Sequence, residues 1–305
     1  MENYDIIIVG AGPAGLTAGI YAGRQGTKTL LLDEGITGGA GLQVPSMENY
    51  PGYELIAGMS LITKTRKQTE KNCQIKEMEG VRSIEKLNEG FVVKTSKSAY
   101  FGKTIIIATG TKHRLLEVPG ESEFKGLGVS YCAACDGLFF KDKNILMIGG
   151  GNSAVQEAIF LNNIGCNVTL VHRRDKLRAE KYLQNKLKEK KIPVICNSHV
   201  KEIKGKKILE SVVLSDKDGN TQEIKVQGIF IAIGDLPTSK VAKDLGVEVD
   251  DYDYIITDKT QRTNIKNVYA AGDVTGGVKQ WIVSCGEGAV AATYAYQDLE
   301  NIKKE

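Results

Sequence analysis

The apolar residues of this chain gather in strand-length runs separated by glycine-rich turns. The run Asp5–Val9 leads into Gly10-Ala-Gly12-Pro-Ala-Gly15, a helical stretch to about Gln25 and a second apolar run, Thr29–Leu32, ending at Asp33. Unbroken apolar runs of this length predict strands, and with the stretch between them they predict a βαβ unit. The order recurs in Lys143–Ile148, Gly149-Gly-Gly151-Asn-Ser-Ala154, a helix to about Asn163 and the run Asn167–Val171 ending at His172. Further strands are predicted at Thr104–Ala108, Gly228–Ala232 and Asn267–Ala270. They end respectively in Thr109-Gly110, Gly234 and Ala271-Gly272-Asp273. Alternation around Lys201–Leu214 and Gln222–Lys225, with a turn at Asp216–Gly219, predicts a small antiparallel sheet. A small-residue helix is expected from about Gly286 to Leu299.

Gly10 and Gly149 lie 139 positions apart, and so do Asp33 and His172. Two dinucleotide-binding folds with one internal spacing imply two nucleotide ligands. The second fold reads as inserted into the first, with crossings near Lys112–Val118 and Leu236–Ser239. The expected class is α/β, two Rossmann-like three-layer dinucleotide-binding domains, one inserted into the other.

Composition narrows this little. A chain of 305 residues is long enough for two domains. A net charge of +3 spread along the chain gives no case for nucleic-acid or membrane partners. Met1–Asp5 lacks a charged segment followed by an apolar one, so no signal peptide is expected. No apolar run approaches the roughly 18 residues of a spanning helix. The six cysteines are too sparse for a disulfide framework, and a reducing cytoplasmic setting is expected. Cys73, Cys166, Cys196 and Cys285 each sit singly and read as buried small hydrophobes.

The two glycine loops lead into strands that end in opposite charges. In the first, Gly10 permits the tight turn, Gly12 admits a pyrophosphate and Gly15 lets the helix pack on the sheet. The anion would sit on the helix N-terminus. Asp33, rather than its neighbour Glu34, is placed to accept from a ribose hydroxyl, and an acid there repels a 2′-phosphate, so FAD or NAD is expected. In the second, His172-Arg173-Arg174 replaces the acid, with Arg178 four residues on. Arginine grips phosphate bidentately, which points to NADPH, although a solvated basic helix start is the plainer alternative.

Ser130-Tyr-Cys132-Ala-Ala-Cys135-Asp136-Gly137 precedes the second fold. A Cys-x-x-Cys reads as a redox centre, as half a zinc site, or as two unrelated core cysteines. His113, His172 and His199 show no paired spacing and no second Cys-x-x-Cys exists, which disfavours zinc. Thiol–disulfide chemistry needs a proton donor and acceptor, and Asp136 is adjacent. Capping the turn before Gly137 is its structural alternative, compatible with the first.

At these residues the chain resembles the low-molecular-weight thioredoxin reductases. The shared motifs run through the whole chain: GAGPAG at Gly10–Gly15, ENYPG at Glu48–Gly52, ATG at Ala108–Gly110, VPGE at Val118–Glu121 and CAACDG at Cys132–Gly137. They continue as GGGNSA at Gly149–Ala154, HRRDKLRAEK at His172–Lys181, IGDLPT at Ile233–Thr238 and AAGDV at Ala270–Val274. The resemblance implies a homodimer that passes electrons from NADPH through FAD to a Cys132–Cys135 disulfide and on to thioredoxin. It implies an FAD domain from 1–113 and 239–305, and an NADPH domain from 114–238 that carries the disulfide and swings about the two crossings.

By the matching motifs, FAD would be held by Gly10, Gly12, Pro13, Ala14, Gly15, Asp33, Glu34, Gly39, Asn49, Ala108, Thr109, Gly110 and Gly272. Asp273 would take the ribityl chain, and Lys279, Gln280 and Trp281 would line the flavin. NADPH would be held by Gly149, Gly151, Asn152, Ser153, Ala154, His172, Arg173, Arg174, Arg178, Ile233 and Gly234. Cys132 would attack thioredoxin, Cys135 would face the flavin and Asp136 would move the proton.

Four positions depart from the family pattern. Ala40 stands where a glutamine is common, so its flavin contact is missing or supplied by Gln43. Lys279 replaces an arginine, Trp281 (the only tryptophan) replaces a small aliphatic, and Cys285 replaces a small residue. A reductase of another dithiol protein, glutaredoxin-like or peroxidase-linked, is the nearest alternative. Relatives that take electrons from ferredoxin or a deazaflavin lose the basic cluster that Arg173, Arg174 and Arg178 form here. A ferredoxin–NADP reductase would lack the cysteine pair, and a bare flavin-binding module would need neither it nor the second nucleotide site.

Overall fold

The structure, a computed structural model, describes residues 1–44, 47 and 49–302, apart from the side chains of Gln43, Ala134, Cys135 and Ile302. The chain divides into two compact units, Met1–Lys112 with Leu236–Glu305, and His113–Asp235. The second fold is therefore inserted into the first.

The first unit is built on a seven-stranded sheet. Its parallel centre pairs Glu2–Val9 with both Thr29–Leu32 and Ala99–Ile107, and Val268–Ala270 joins Ala99–Ile107. Alternate residues of the central strand face opposite ways. Ile6 and Ile8 pack against the helices Pro13–Arg24 and Trp281–Ile302, while Ile7 and Val9 pack against Phe91, Val93 and Ala242. Burial on both faces explains why these strands are continuously apolar. Val81–Leu87 and Gly90–Thr95 extend the sheet as an antiparallel meander. The C-terminal helix begins at Trp281, earlier than the expected Gly286. Its buried alanines, Ala291, Ala292 and Ala295, let it lie close to the first helix.

The second unit has three layers. A five-stranded parallel sheet carries helices on one face, through Met147, Val155, Ala158 and Leu183. A three-stranded antiparallel sheet covers the other, through Leu146, Ile148, Val212 and Leu214. The antiparallel sheet is Ser198–Gly205, Leu209–Asp216 and Thr221–Lys225, so the expected stretch Lys201–Leu214 is two strands, and the turn after Asp216 closes through the Gly219 N–H. The connecting strands Thr111–His113 and Asp235–Pro237 pair with each other. Among the described residues no helix is long and apolar enough to cross a membrane.

Candidate functional site

In the first unit the glycine loop is shaped by what glycine leaves out. Gly10 has φ +105°, and a Cβ on it would lie 2.3 Å from the Ala108 carbonyl oxygen. A Cβ on Gly15 would strike the Gly10 carbonyl at 1.8 Å, so this glycine serves the loop as well as helix packing. A Cβ on Gly12 would meet nothing within 4 Å, and Gly39 comes close to Gly12 from the side. Gly12 caps the helix Pro13–Arg24 without a side-chain acceptor, so the helix N-terminus is open toward that space. Pro13 at the first turn has no N–H to leave unsatisfied.

Asp33 and Glu34 take different directions. Asp33 accepts from the Ala11 N–H at 2.6 Å and from the Gly35 N–H at 2.8 Å. Burial pushes its carboxyl up, and these two hydrogen bonds oppose that shift. Asp33 thus braces the glycine loop itself. Glu34 is exposed and pairs with Lys112 at 2.8 Å.

The remaining residues expected around FAD lie in the same unit. Ala108 donates to the Val9 carbonyl, continuing the sheet. Thr109 donates to the Thr238 carbonyl at 2.7 Å, and Thr238 N–H donates back to Gly110. Gly272 N–H donates to the half-buried Glu287 at 2.7 Å, and Ser284 donates to Asp273 at 3.2 Å. Glu287 and Ser284 escaped the sequence reading because nothing local ties them to Gly272-Asp273. Asn49 donates to Gln280 at 2.9 Å, and Lys279 to the Tyr254 hydroxyl at 2.8 Å. Trp281 packs with the cluster Met47, Ile56 and Leu61 and edge-on to Tyr50. The Gln43 side chain, the candidate substitute for the absent glutamine, lies outside the described residues.

The second unit repeats the arrangement. Gly149 has φ +155°, its Cβ position blocked by the Ala232 carbonyl at 2.3 Å and Ala154 Cβ at 2.5 Å. Ala154 is buried on the helix that Gly151 caps without a side-chain acceptor, next to exposed Ser153, and a Cβ on Gly151 would again meet nothing within 4 Å. Asn152 and Glu180 hold each other reciprocally, at 2.8 and 2.9 Å. The His172 ring is buried against Gly150, where a Cβ would lie 2.2 Å from Nδ1. Burial keeps this imidazole below the usual histidine range. The Arg178 and Ala179 N–H groups donate to the Gly150 carbonyl at 2.7 and 3.0 Å, which ties the basic segment to the loop. Arg173, Arg174 and Arg178 are exposed, and none forms an ion pair among the described residues. Ile233 and Gly234 follow the strand Gly228–Ala232, and Gly234 accepts from the Arg114 N–H.

The cysteine motif is positioned by the strand Val129–Ser130, which pairs with Gly228–Ala232 in that parallel sheet. The chain then turns into the short helix Ala133–Asp136. Cys132 is disulfide-bonded, whereas Cys73, Cys166, Cys196 and Cys285 are free thiols. The Cys135 side chain lies outside the described residues. Cys132 N–H donates to Ser130 Oγ at 3.1 Å, and Ser130 Oγ donates to Asp136 Oδ2 at 2.6 Å. Beside it Tyr131 donates to buried Glu121 at 2.6 Å, and Glu121 also accepts from the Leu116 and Glu117 N–H groups. Leu138 and Phe139 come just after the motif and are 70% and 73% exposed, which leaves an apolar surface on the turn that follows Asp136. Among the described residues no group of three or more His, Cys, Asp or Glu could hold a metal ion. One unit therefore holds an oxidised cysteine, a neighbouring carboxylate and a phosphate loop flanked by uncompensated arginines.

The profile of the pyridine nucleotide-disulphide oxidoreductases matches residues 4–288. A thioredoxin reductase of Listeria monocytogenes is 40% identical over 305 residues, covering 99% of this chain and 95% of that protein. The crystal structure of T. acidophilum thioredoxin reductase superposes with a TM-score of 0.90 at 40% identity, covering 98% of this chain and 99% of that one. That of Lactococcus lactis thioredoxin reductase gives 0.90 at 44% identity with the same coverage.

Proposed function

This chain belongs to the pyridine nucleotide-disulphide oxidoreductase family, and from that premise we propose that it is a thioredoxin-disulfide reductase using FAD and NADPH. The net reaction opens the thioredoxin disulfide to two thiols while NADPH and one proton become NADP⁺. The observation that carries the reading is the oxidised Cys132, set beside Asp136 in the unit that also holds the arginine-flanked phosphate loop.

The first unit fits FAD. The open space over Gly12, the uncapped helix N-terminus behind it and Asp33 bracing the loop suit a pyrophosphate and an adenosine ribose. Asp273, steadied by Ser284, would take polyol hydroxyls, and Asn49 with Gln280 would offer amides to the ring. FAD, when bound, relays two electrons between NADPH and a disulfide.

The second unit fits NADPH. Its helix N-terminus would take the pyrophosphate, and Arg173, Arg174 and Arg178 the 2′-phosphate, with no acidic partner among the described residues to release first. The disulfide is Cys132 with Cys135. Cys132 attacks the thioredoxin disulfide as a thiolate, and Asp136 moves the proton that makes and quenches it. Leu138 and Phe139 offer the apolar contact for a small protein partner. A homodimer in the cytoplasm, with the inserted unit turning about its two crossings, completes the proposal. Another small dithiol protein as the acceptor is the second reading, since the same exposed apolar pair would serve it.

The test is reduction of the flavin by NADPH in the purified protein, and then a panel of oxidised partners. Thioredoxin turned over faster than any glutaredoxin-like protein supports the reading. Flavin reduction with no turnover of thioredoxin refutes it.

A further inference from the structure

Two positions set apart by the sequence, Trp281 and Cys285, lie in one region of the first unit with Gly41, the neighbour of Ala40. A Cβ on Gly41 would come within 2.6 Å of Trp281 Cη2 and 2.9 Å of Cζ3. Gly41 does not have a left-handed backbone, so its φ angle does not demand glycine. The indole occupies the room that a side chain there would need. Tyr50 meets that indole edge-on, ring centres 6.5 Å apart at 76°. Cys285 lies one helical turn after Trp281, close to Thr17 and Tyr50, and its thiol donates to the Pro13 carbonyl at 3.9 Å. Pro13 opens the helix of the glycine loop. One step from the indole on each strand of chain, Asn49 donates to Gln280 at 2.9 Å.

We infer that Gly41, Trp281 and Cys285 act as one coupled unit in which Trp281 is a positioning residue. The indole, admitted by Gly41 and tethered by Cys285 and Tyr50, fixes Asn49 against Gln280 and so sets the flavin-facing edge of the first unit. The inference rests on the FAD reading of that edge. The indole is half-buried, but a Cβ at position 41 would fall within 2.6 and 2.9 Å of two of its ring atoms, so even one methyl must displace it.

The test compares Gly41→Ala, Trp281→Leu and the double variant in the full chain. The quantities read are FAD affinity, the visible flavin absorption bands and thermal stability. Each single change is expected to raise the FAD dissociation constant about tenfold and to shift the flavin bands. In the double variant the methyl meets no indole, so the loss is expected to equal that of Trp281→Leu alone. Trp281→Phe, which keeps the edge contact with Tyr50, is expected to recover most of it. Additive losses, or single variants with unchanged affinity and bands, would overturn the inference.

Cys285→Ala removes only the sulfur contacts and serves if the others fold poorly. With one tryptophan in the chain, the emission of the flavin-free protein reports Trp281 alone. A red shift in Cys285→Ala supports the coupling and an unchanged spectrum overturns it. Failure of the unaltered chain to bind FAD would instead overturn the flavin reading, and the emission result would still decide the coupling.

Discussion

Ser130 donates its hydroxyl hydrogen to Asp136 at 2.6 Å while accepting the Cys132 N–H at 3.1 Å. One side chain thereby fastens both ends of the turn that carries the disulfide. Its own place is set by the strand pairing of Ser130 with Phe230 in the parallel sheet. Replacing Ser130 by Ala should leave the flavin reducible by NADPH at the normal rate and slow disulfide turnover about tenfold, because Asp136 loses its fixed orientation. Stopped-flow flavin reduction and steady-state thioredoxin reduction separate the two steps. Equal slowing of both would place Ser130 in the fold alone.

The two sulfurs should be separable in the same way. Cys135→Ser should bind FAD and accept electrons from NADPH but fail to reduce any disulfide. Normal disulfide turnover in that variant would remove Cys135 from the mechanism.

The exposed arginines predict a cofactor preference. Arg173→Ala with Arg174→Ala should raise KM for NADPH by about two decades more than KM for NADH, since only the former offers a 2′-phosphate to a bidentate grip. Initial rates with both cofactors measure this, and an equal rise in both would assign the arginines elsewhere.

Glu157 predicts a pH dependence. It is largely buried, its Oε2 has no hydrogen-bond partner among the described residues, and burial pushes its carboxyl up to about 7. His113 opposes the shift and Asp235 adds to it; those two are themselves hydrogen-bonded, which holds the imidazole above its usual range. Between about pH 4.5 and pH 7 the folded chain keeps a proton that the unfolded chain has released. Unfolding free energy from this group therefore falls as pH rises through that window, by about 3 kcal/mol in all, and is level above it. Glu157→Gln should abolish that slope and be the more stable protein at pH 8. Denaturant titrations across the window check it, and a parallel slope in the variant would assign the dependence to other groups.

The glycine loops were legible in the sequence because local backbone geometry dictates them. Gly10 and Gly149 are left-handed positions, and the apolar runs beside them are strands covered on both faces. The acid at Asp33 was legible, but not its hold on the Ala11 and Gly35 amides, which exists only once the loop closes. The helix Lys181–Glu189 buries only Leu183 and Leu187, too weak a stripe to stand out in a lysine-rich segment. Val81–Leu87 is mostly exposed and offers little alternation. Ser130, Glu121, Ser284 and Glu287 are polar residues whose partners the folded turns select. No spacing rule finds them. Trp281 was visible as an oddity, and its reason appears only with Gly41 beside it in space.

In the proposed reaction, electrons from NADPH leave through Cys132 to open a thioredoxin disulfide. Its most direct measurement is anaerobic incubation with NADPH and oxidised thioredoxin, counting new thiols against NADPH consumed, in the unaltered chain and in Cys132→Ser. One disulfide should open for each NADPH oxidised, with thiol production lost in Cys132→Ser although its flavin is still reduced. NADPH consumed without new thiols, or undiminished thiol production in Cys132→Ser, would contradict it.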